Sequence, residues 1–194
     1  MGNKGAASSK AGGGGARNFQ EVDDDKIFDP SVAEWRNDIT SSELDATIEY
    51  TGSAYRNINK ALRNGTGHYK DTIDEIDKSI SKFNLKQNIT VFRGVSSDAF
   101  GGSLPEVGTI LQDKGFMSTT VKKSVAADFD KGYILKINVP KGKGRGAYVR
   151  SVSNYSYEYE FLMKRSSKLK VTRIGSGESE GFTGGQTVIY ANLV

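Results

Sequence analysis

The first half of the chain places apolar residues every three or four positions. "TSSELDATIEYTGSAYRNINKALRNG" carries Leu44, Ile48, Tyr55, Ile58 and Leu62 at near-helical spacing. Thr40 and Glu43 fit a capping box at its start, and Gly65 supplies a stop at its end. Gly52 predicts a break that divides the run into two helices. "DTIDEIDKSISKF" repeats the pattern with Ile73, Ile76, Ile80 and Phe83, and Pro30 opens a short helical turn upstream. At "QNITVFRG" the character changes to short strand-like runs, over 89–93, 115–120, 133–139, 146–152, 157–162, 168–174 and 187–193. Gly-rich or Lys-rich turns separate them, and one short helix over 124–130 interrupts them. Helices first and mostly antiparallel strands afterwards predict an α+β fold.

Composition narrows the chemistry. The 194 residues suffice for one domain with a real core. Residues 1–18, rich in Gly, Ala, Ser and Lys, cannot bury enough apolar surface to offset ordering entropy and predict a flexible tail. The absence of cysteine excludes disulfides, a thiolate nucleophile and cysteine–zinc sites. A single histidine, His68 in the turn-like "RNGTGHYK", leaves no multi-histidine metal site, so no metal is expected. The net charge of +4 sets 27 basic against 23 acidic residues, a weak pull toward anionic partners. There is no run of membrane-span length and no secretory h-region, and Ala6 occupies the position where myristoylation wants Ser or Thr. A soluble chain is therefore expected, leaving its cell, if it does, by a non-standard route. "GKGRGAYV" lacks the dinucleotide-fingerprint spacing, and neither a P-loop nor HExxH occurs.

Three stretches carry candidate chemistry, each with an ordinary structural reading beside it. Arg93 shares a strand face with Ile89 and Val91, so it either forms a structural ion pair or meets an anionic ligand. In "GFMSTT" the hydroxyls either cap the next helix, or Ser118 hydrogen-bonds a carboxylate on a neighbouring strand. In "YSYEYEFL" a strand would set Glu158 and Glu160 on one face, roughly 6.6 Å apart at Cα. That face is either solvated or a pair of working carboxylates, and Leu162 on the same side argues that it is not wholly wet.

In order, Arg93, "FMSTT" and "EYE" resemble the R-S-E signature of the arginine-directed ADP-ribosyltransferases, including the binary actin-modifying toxins and related phage or effector transferases. "STTVKKSVAADF", "YILKINVPKGKGRGAYV" and "NYSYEYEFLMKRSSKLKV" extend the likeness, which runs from about Trp35 to the C-terminus. The resemblance implies one catalytic domain over 19–194 with an ADP-ribosyltransferase-like, two-sheet β core. NAD would be the co-substrate, and Arg93 would grip its diphosphate, with Gly94 beside it. Ser118 would orient the catalytic Glu160, while Thr119 and Thr120 shape the nicotinamide pocket and Phe129 packs on the ring. Tyr50, Tyr55 and Asn59 in "YTGSAYRNIN" resemble the family's NAD-contacting helix. Glu158 would admit an arginine acceptor, and Tyr155 would lie in the loop that meets the target protein. The partner implied is a protein carrying that arginine, actin or another host protein, modified by a monomeric enzyme in the cytoplasm of the target cell.

Three departures stand out. Gly94 occupies a position where some relatives carry a second arginine, Thr120 one where serine is commoner, and the toxins' N-terminal adaptor domain is expected to be absent. Two other readings remain beside transfer to arginine. One is a NAD glycohydrolase with water as acceptor. The other is an inactive fold binding nucleic acid or an acidic partner through Lys141, Lys143, Arg145, Lys164, Arg165, Lys168 and Lys170. No base-stacking aromatics are interleaved among these cations, so a nucleic-acid partner is not expected.

Overall fold

The computed structural model describes residues 18–194, so nearly all of the expected tail lies outside the described residues. In chain order the elements are β1 (Gln20–Glu21), α1 (Asp29–Asp38), α2 (Ser41–Glu49), α3 (Tyr55–Asn64), α4 (Lys70–Lys82), β2 (Asn84–Leu85), β3 (Ile89–Val95), β4 (Ile110–Gln112), β5 (Met117–Thr120), α5 (Lys123–Asp128), β6 (Tyr133–Val139), β7 (Gly142–Lys143), β8 (Gly146–Tyr148), β9 (Glu160–Met163), β10 (Lys168–Ser176) and β11 (Thr187–Leu193). The expected helices are present and each of the seven expected runs contains a strand, although those over 146–152 and 157–162 are strand only at Gly146–Tyr148 and from Glu160 onward; Pro30 opens a ten-residue helix, longer than the single turn expected.

Both halves of the Thr40 capping box form: Glu43 N–H donates to the Thr40 hydroxyl at 3.2 Å, and Thr40 N–H donates to the Glu43 carboxylate at 2.9 Å. Gly52, at φ −86° and ψ −122°, breaks the run as expected, and Tyr50–Ala54 forms a π-helical turn between α2 and α3. Gly65 ends α3 at φ 64°, a left-handed cap that glycine adopts without steric cost. Ile58, Ile73, Ile76, Ile80 and Phe83 all reach the core. Each such side chain contributes about 2 kcal/mol by leaving water. Trp35 is fully buried among them, its indole N–H donating to the Ser79 carbonyl at 2.9 Å.

The strands run in the order β4-β10-β11-β6-β3-β5-β9-β8, with β1 alongside the start of β3. Pairing is antiparallel except for β11 with β6 and β1 with β3. Between β3 and β5 a single residue pair, Phe92 with Thr120, joins the two halves. The core is thus two half-sheets meeting at a narrow seam, β4-β10-β11-β6-β3 and β5-β9-β8. Strand β9, paired between β5 and β8, is buried along its whole length, Glu160 included.

Candidate active site

Beyond Phe92 the strands β3 and β5 part, and a cavity of about 770 Å³ opens beside the seam. Arg93 and Gly94 line it from β3, and Ser118, Thr119 and Thr120 from β5. Arg93 Nη1 donates to the Ser118 carbonyl at 2.5 Å, so the guanidinium bridges the gap that backbone pairing leaves. Among the described residues no carboxylate meets it at salt-bridge distance. Burial presses its pKa below the ordinary arginine value, opposed by the more distant Tyr50, Asp113 and Glu160. The structural ion pair considered for Arg93 does not form. A cation withdrawn from water without a counter-ion is a ready receptor for an anion.

The hydroxyl run does not cap α5. Lys122 holds the N-cap position, and Thr120 accepts the Lys122 N–H at 3.1 Å within the preceding turn. Thr119 donates to the Phe161 carbonyl at 2.5 Å, which fixes its side chain in the cavity wall. Ser118 pairs with Leu162 and Thr120 with Glu160, so Ser118 and Glu160 are diagonal neighbours on one face. Glu160 is only 6% exposed. Burial pushes its carboxyl up to about 7; the neighbouring Ser118 hydroxyl and the Arg93 charge pull downward, while Glu158 adds to the rise.

The single-strand reading of "YSYEYEFL" needs correction. Ser156–Glu158 is a 3₁₀ turn, closed by Glu158 N–H to the Tyr155 carbonyl at 2.9 Å, and β9 begins only at Glu160. Between the glutamates Tyr159 is left-handed, at φ 48° and ψ 46°. That conformation costs a non-glycine residue about 1–2 kcal/mol. The two carboxylates both line the cavity, yet they reach it by this twist and not by alternation along a strand. Burial raises the Glu158 pKa as well.

Tyr50, Tyr55, Phe129 and Tyr155 also line the cavity. Phe129 follows α5 with more than half its surface open, a free aromatic face. Tyr50 is buried, with its hydroxyl accepting from Asn59 Nδ2 at 3.0 Å. Asn59 itself does not line the cavity. Its amide brackets Phe116, accepting from the backbone N–H at 2.9 Å and donating to the carbonyl at 3.1 Å, and so anchors the approach to β5. Gly94 is fixed by packing: an added Cβ would come within 2.5 Å of the Ala126 carbonyl and the Asp130 nitrogen. Among the unanticipated lining residues, two are charged, Arg56 and Lys131. Arg56 Nε donates to the Tyr55 hydroxyl at 3.0 Å, and its adjacency to Tyr55 was the available signal. Among the described residues no cluster of histidine, cysteine and carboxylate side chains could hold a metal. No described helix is long and apolar enough to cross a membrane.

An α+β domain whose two half-sheets part around an unpaired arginine, an open aromatic face and two carboxylates presents a receptor for an anionic ligand with a planar end. A model of the ADP-ribosyltransferase exoenzyme family matches residues 29–192, and the chain belongs to that family. The chain is 32% identical over 170 residues to the NAD(+)–arginine ADP-ribosyltransferase EFV of Enterococcus faecalis, covering 79% of this chain and 34% of that protein. Among solved structures, the Clostridium limosum C3 exoenzyme superposes with a TM-score of 0.74 at 24% identity, over 91% of this chain and 98% of that one. Exoenzyme S from Pseudomonas aeruginosa, solved with human 14-3-3 protein beta and carba-NAD, superposes with a TM-score of 0.67 at 24% identity, over 88% and 82%. The chain spans about a third of the length of the curated transferase EFV and of secreted exoenzyme S. The fold is that of ADP-ribosyltransferase toxins, whose co-substrate is NAD.

Proposed function

We propose that the chain is a mono-ADP-ribosyltransferase, moving ADP-ribose from NAD to an arginine side chain of a target protein with release of nicotinamide. The observation that carries this reading is the convergence of Arg93, Ser118, Glu158 and Glu160 on one cavity. Its volume of about 770 Å³ lies within the range of small-ligand sites. The name of the E. faecalis relative supports arginine as acceptor.

In this reading Arg93 takes the diphosphate and Phe129 stacks on the nicotinamide ring, with Thr119 and Thr120 shaping the pocket around it. Cleavage breaks the bond between the ribose C1′ and the ring nitrogen. The bonding pair stays with the nitrogen, which becomes neutral, so no general acid is needed. Positive charge develops on the ribose, and Glu160, held by Ser118, stabilises it when ionised. A guanidinium is a poor nucleophile until a proton leaves it. Glu158 pairs with that guanidinium, aims one nitrogen at C1′ and accepts the proton as the new bond forms. The raised Glu158 pKa makes it a better base than an exposed glutamate. Tyr155, at the cavity mouth, faces the incoming target.

The test is incubation with labelled NAD and host-cell lysates, read by mass spectrometry of labelled bands, with Glu160→Gln as control. Labelled arginine in the wild-type sample alone is the expected result. Equal NAD consumption with and without protein acceptor would favour hydrolysis, and no consumption would end the enzymatic reading.

A further inference from the structure

We infer that Arg150, anchored by Asp25, is a positioning residue that sets the acceptor-facing carboxylate while touching neither NAD nor target. The inference rests on the proposed division of roles between Glu158 and Glu160. Glu160 is held from both sides by strand pairing, its carbonyl accepting Val149 N–H at 3.1 Å. Glu158 lacks such support. It lies in a short 3₁₀ turn that joins β9 through left-handed Tyr159, a junction the backbone does not favour by itself.

Arg150 holds that junction at two points. Its Nε donates to the Ser156 carbonyl at 3.1 Å, and its guanidinium lies over the Tyr159 ring at 4.1 Å from the centroid. Residues on either side of Glu158 are therefore fixed by one side chain. Arg150 is itself tethered, since Nη1 donates to the Asp25 carboxylate at 2.6 Å, which also accepts the Tyr148 hydroxyl at 2.7 Å. Against the upward push of burial, those two bonds hold the Asp25 carboxyl below its usual range. Lys122 also reaches the Tyr159 ring. Its Nζ lies 5.5 Å from the Tyr159 centroid and donates to the Val22 and Asp23 carbonyls at 3.2 and 2.5 Å. The acidic "VDDDK" stretch, remote from the cavity in sequence, thus becomes the outer tie of the turn that carries Glu158.

A bulk structural role would lower every activity together. A positioning role confined to Glu158 predicts a split, because Glu160 on β9 stays in place. The experiment measures nicotinamide release from NAD with and without agmatine as guanidine acceptor, for wild type, Arg150→Met, Asp25→Asn and the double variant. Arg150→Met is expected to lose guanidine transfer by on the order of tenfold to hundredfold while hydrolysis stays within about threefold. Asp25→Asn keeps the Arg150 side chain and should show the same split to a smaller degree, and it tests the idea even where Arg150→Met folds poorly. The double variant should be no worse than Arg150→Met, since both changes cut one tether. Parallel loss of both activities, an unchanged ratio, or additive losses in the double variant would overturn the inference. A wild-type chain that cleaves NAD without ever modifying agmatine or protein arginine would overturn the functional reading instead.

Discussion

Replacing Glu160 with glutamine removes a carboxyl that is ionised only at a cost to the fold. Its pKa stands at about 7 in the folded chain against 4.5 for the free side chain. Between those values the folded state binds the extra proton, so this group's contribution to stability falls as pH rises through the window. A shift of that size corresponds to about 3 kcal/mol, fully felt above about pH 8 and absent below about pH 4. Glutamine has nearly the same shape and fits the same place diagonal to Ser118, so any fixed difference between the proteins is independent of pH. Urea unfolding of wild type and Glu160→Gln without NAD, at intervals from pH 4 to 8.5, reads the effect directly. The variant should gain on the wild type by about 3 kcal/mol across that range, or about 6–12 °C in Tm for a domain of this size. It should do so while losing catalysis, the expected trade at a site kept strained for function. Glu158→Gln is the companion measurement: it relieves the like charge and should recover only a minor part of the gain. A stability difference between Glu160→Gln and wild type that stays flat with pH would refute the buried-charge argument.

The same titration should govern turnover. If Glu160 must be ionised, kcat/KM for NAD falls about tenfold per pH unit below about 7, and Glu158→Gln moves the midpoint of NAD hydrolysis downward by removing a neighbouring negative charge. At Gly94, alanine meets the backbone of residues 126–130 and has no flexible side chain to displace. Gly94→Ala should cost about 1–3 kcal/mol in urea unfolding and weaken NAD binding by shifting Phe129; an unchanged midpoint and affinity would show that α5 yields freely.

The helical half was legible because its signals are local. The Thr40–Glu43 pair, the break at Gly52 and the isoleucines at 73, 76 and 80 each state their own structure. Strands β6 and β11 were legible to the residue, being long enough to show their pattern. The pairs Gln20–Glu21, Asn84–Leu85 and Gly142–Lys143 were not, since two residues display no period and pairing arises from partners far away in the chain. The left-handed Tyr159 was hidden for another reason. Nothing in a tyrosine announces that conformation, and the Arg150 and Lys122 cations that meet its ring come from other parts of the chain. That is why two glutamates that looked like strand neighbours turned out to sit on either side of a kink. The set Arg93, Ser118 and Glu160 was legible through its ordered likeness to a family, whereas the missing counter-ion of Arg93 is a fact of three dimensions. Asn59, named through the family likeness, spends its amide on Phe116, 57 residues away, a contact that no local pattern displays.

A seam one residue pair wide leaves the two half-sheets little backbone pairing in common. The arginine assigned to the dinucleotide belongs to one half, and the carboxylate assigned to the acceptor hangs from the other. On the proposed reading, changes in the loop before β9 would alter the acceptor while Arg93 on β3 keeps its place. On that reading, donor and acceptor are answered by different halves of one sheet.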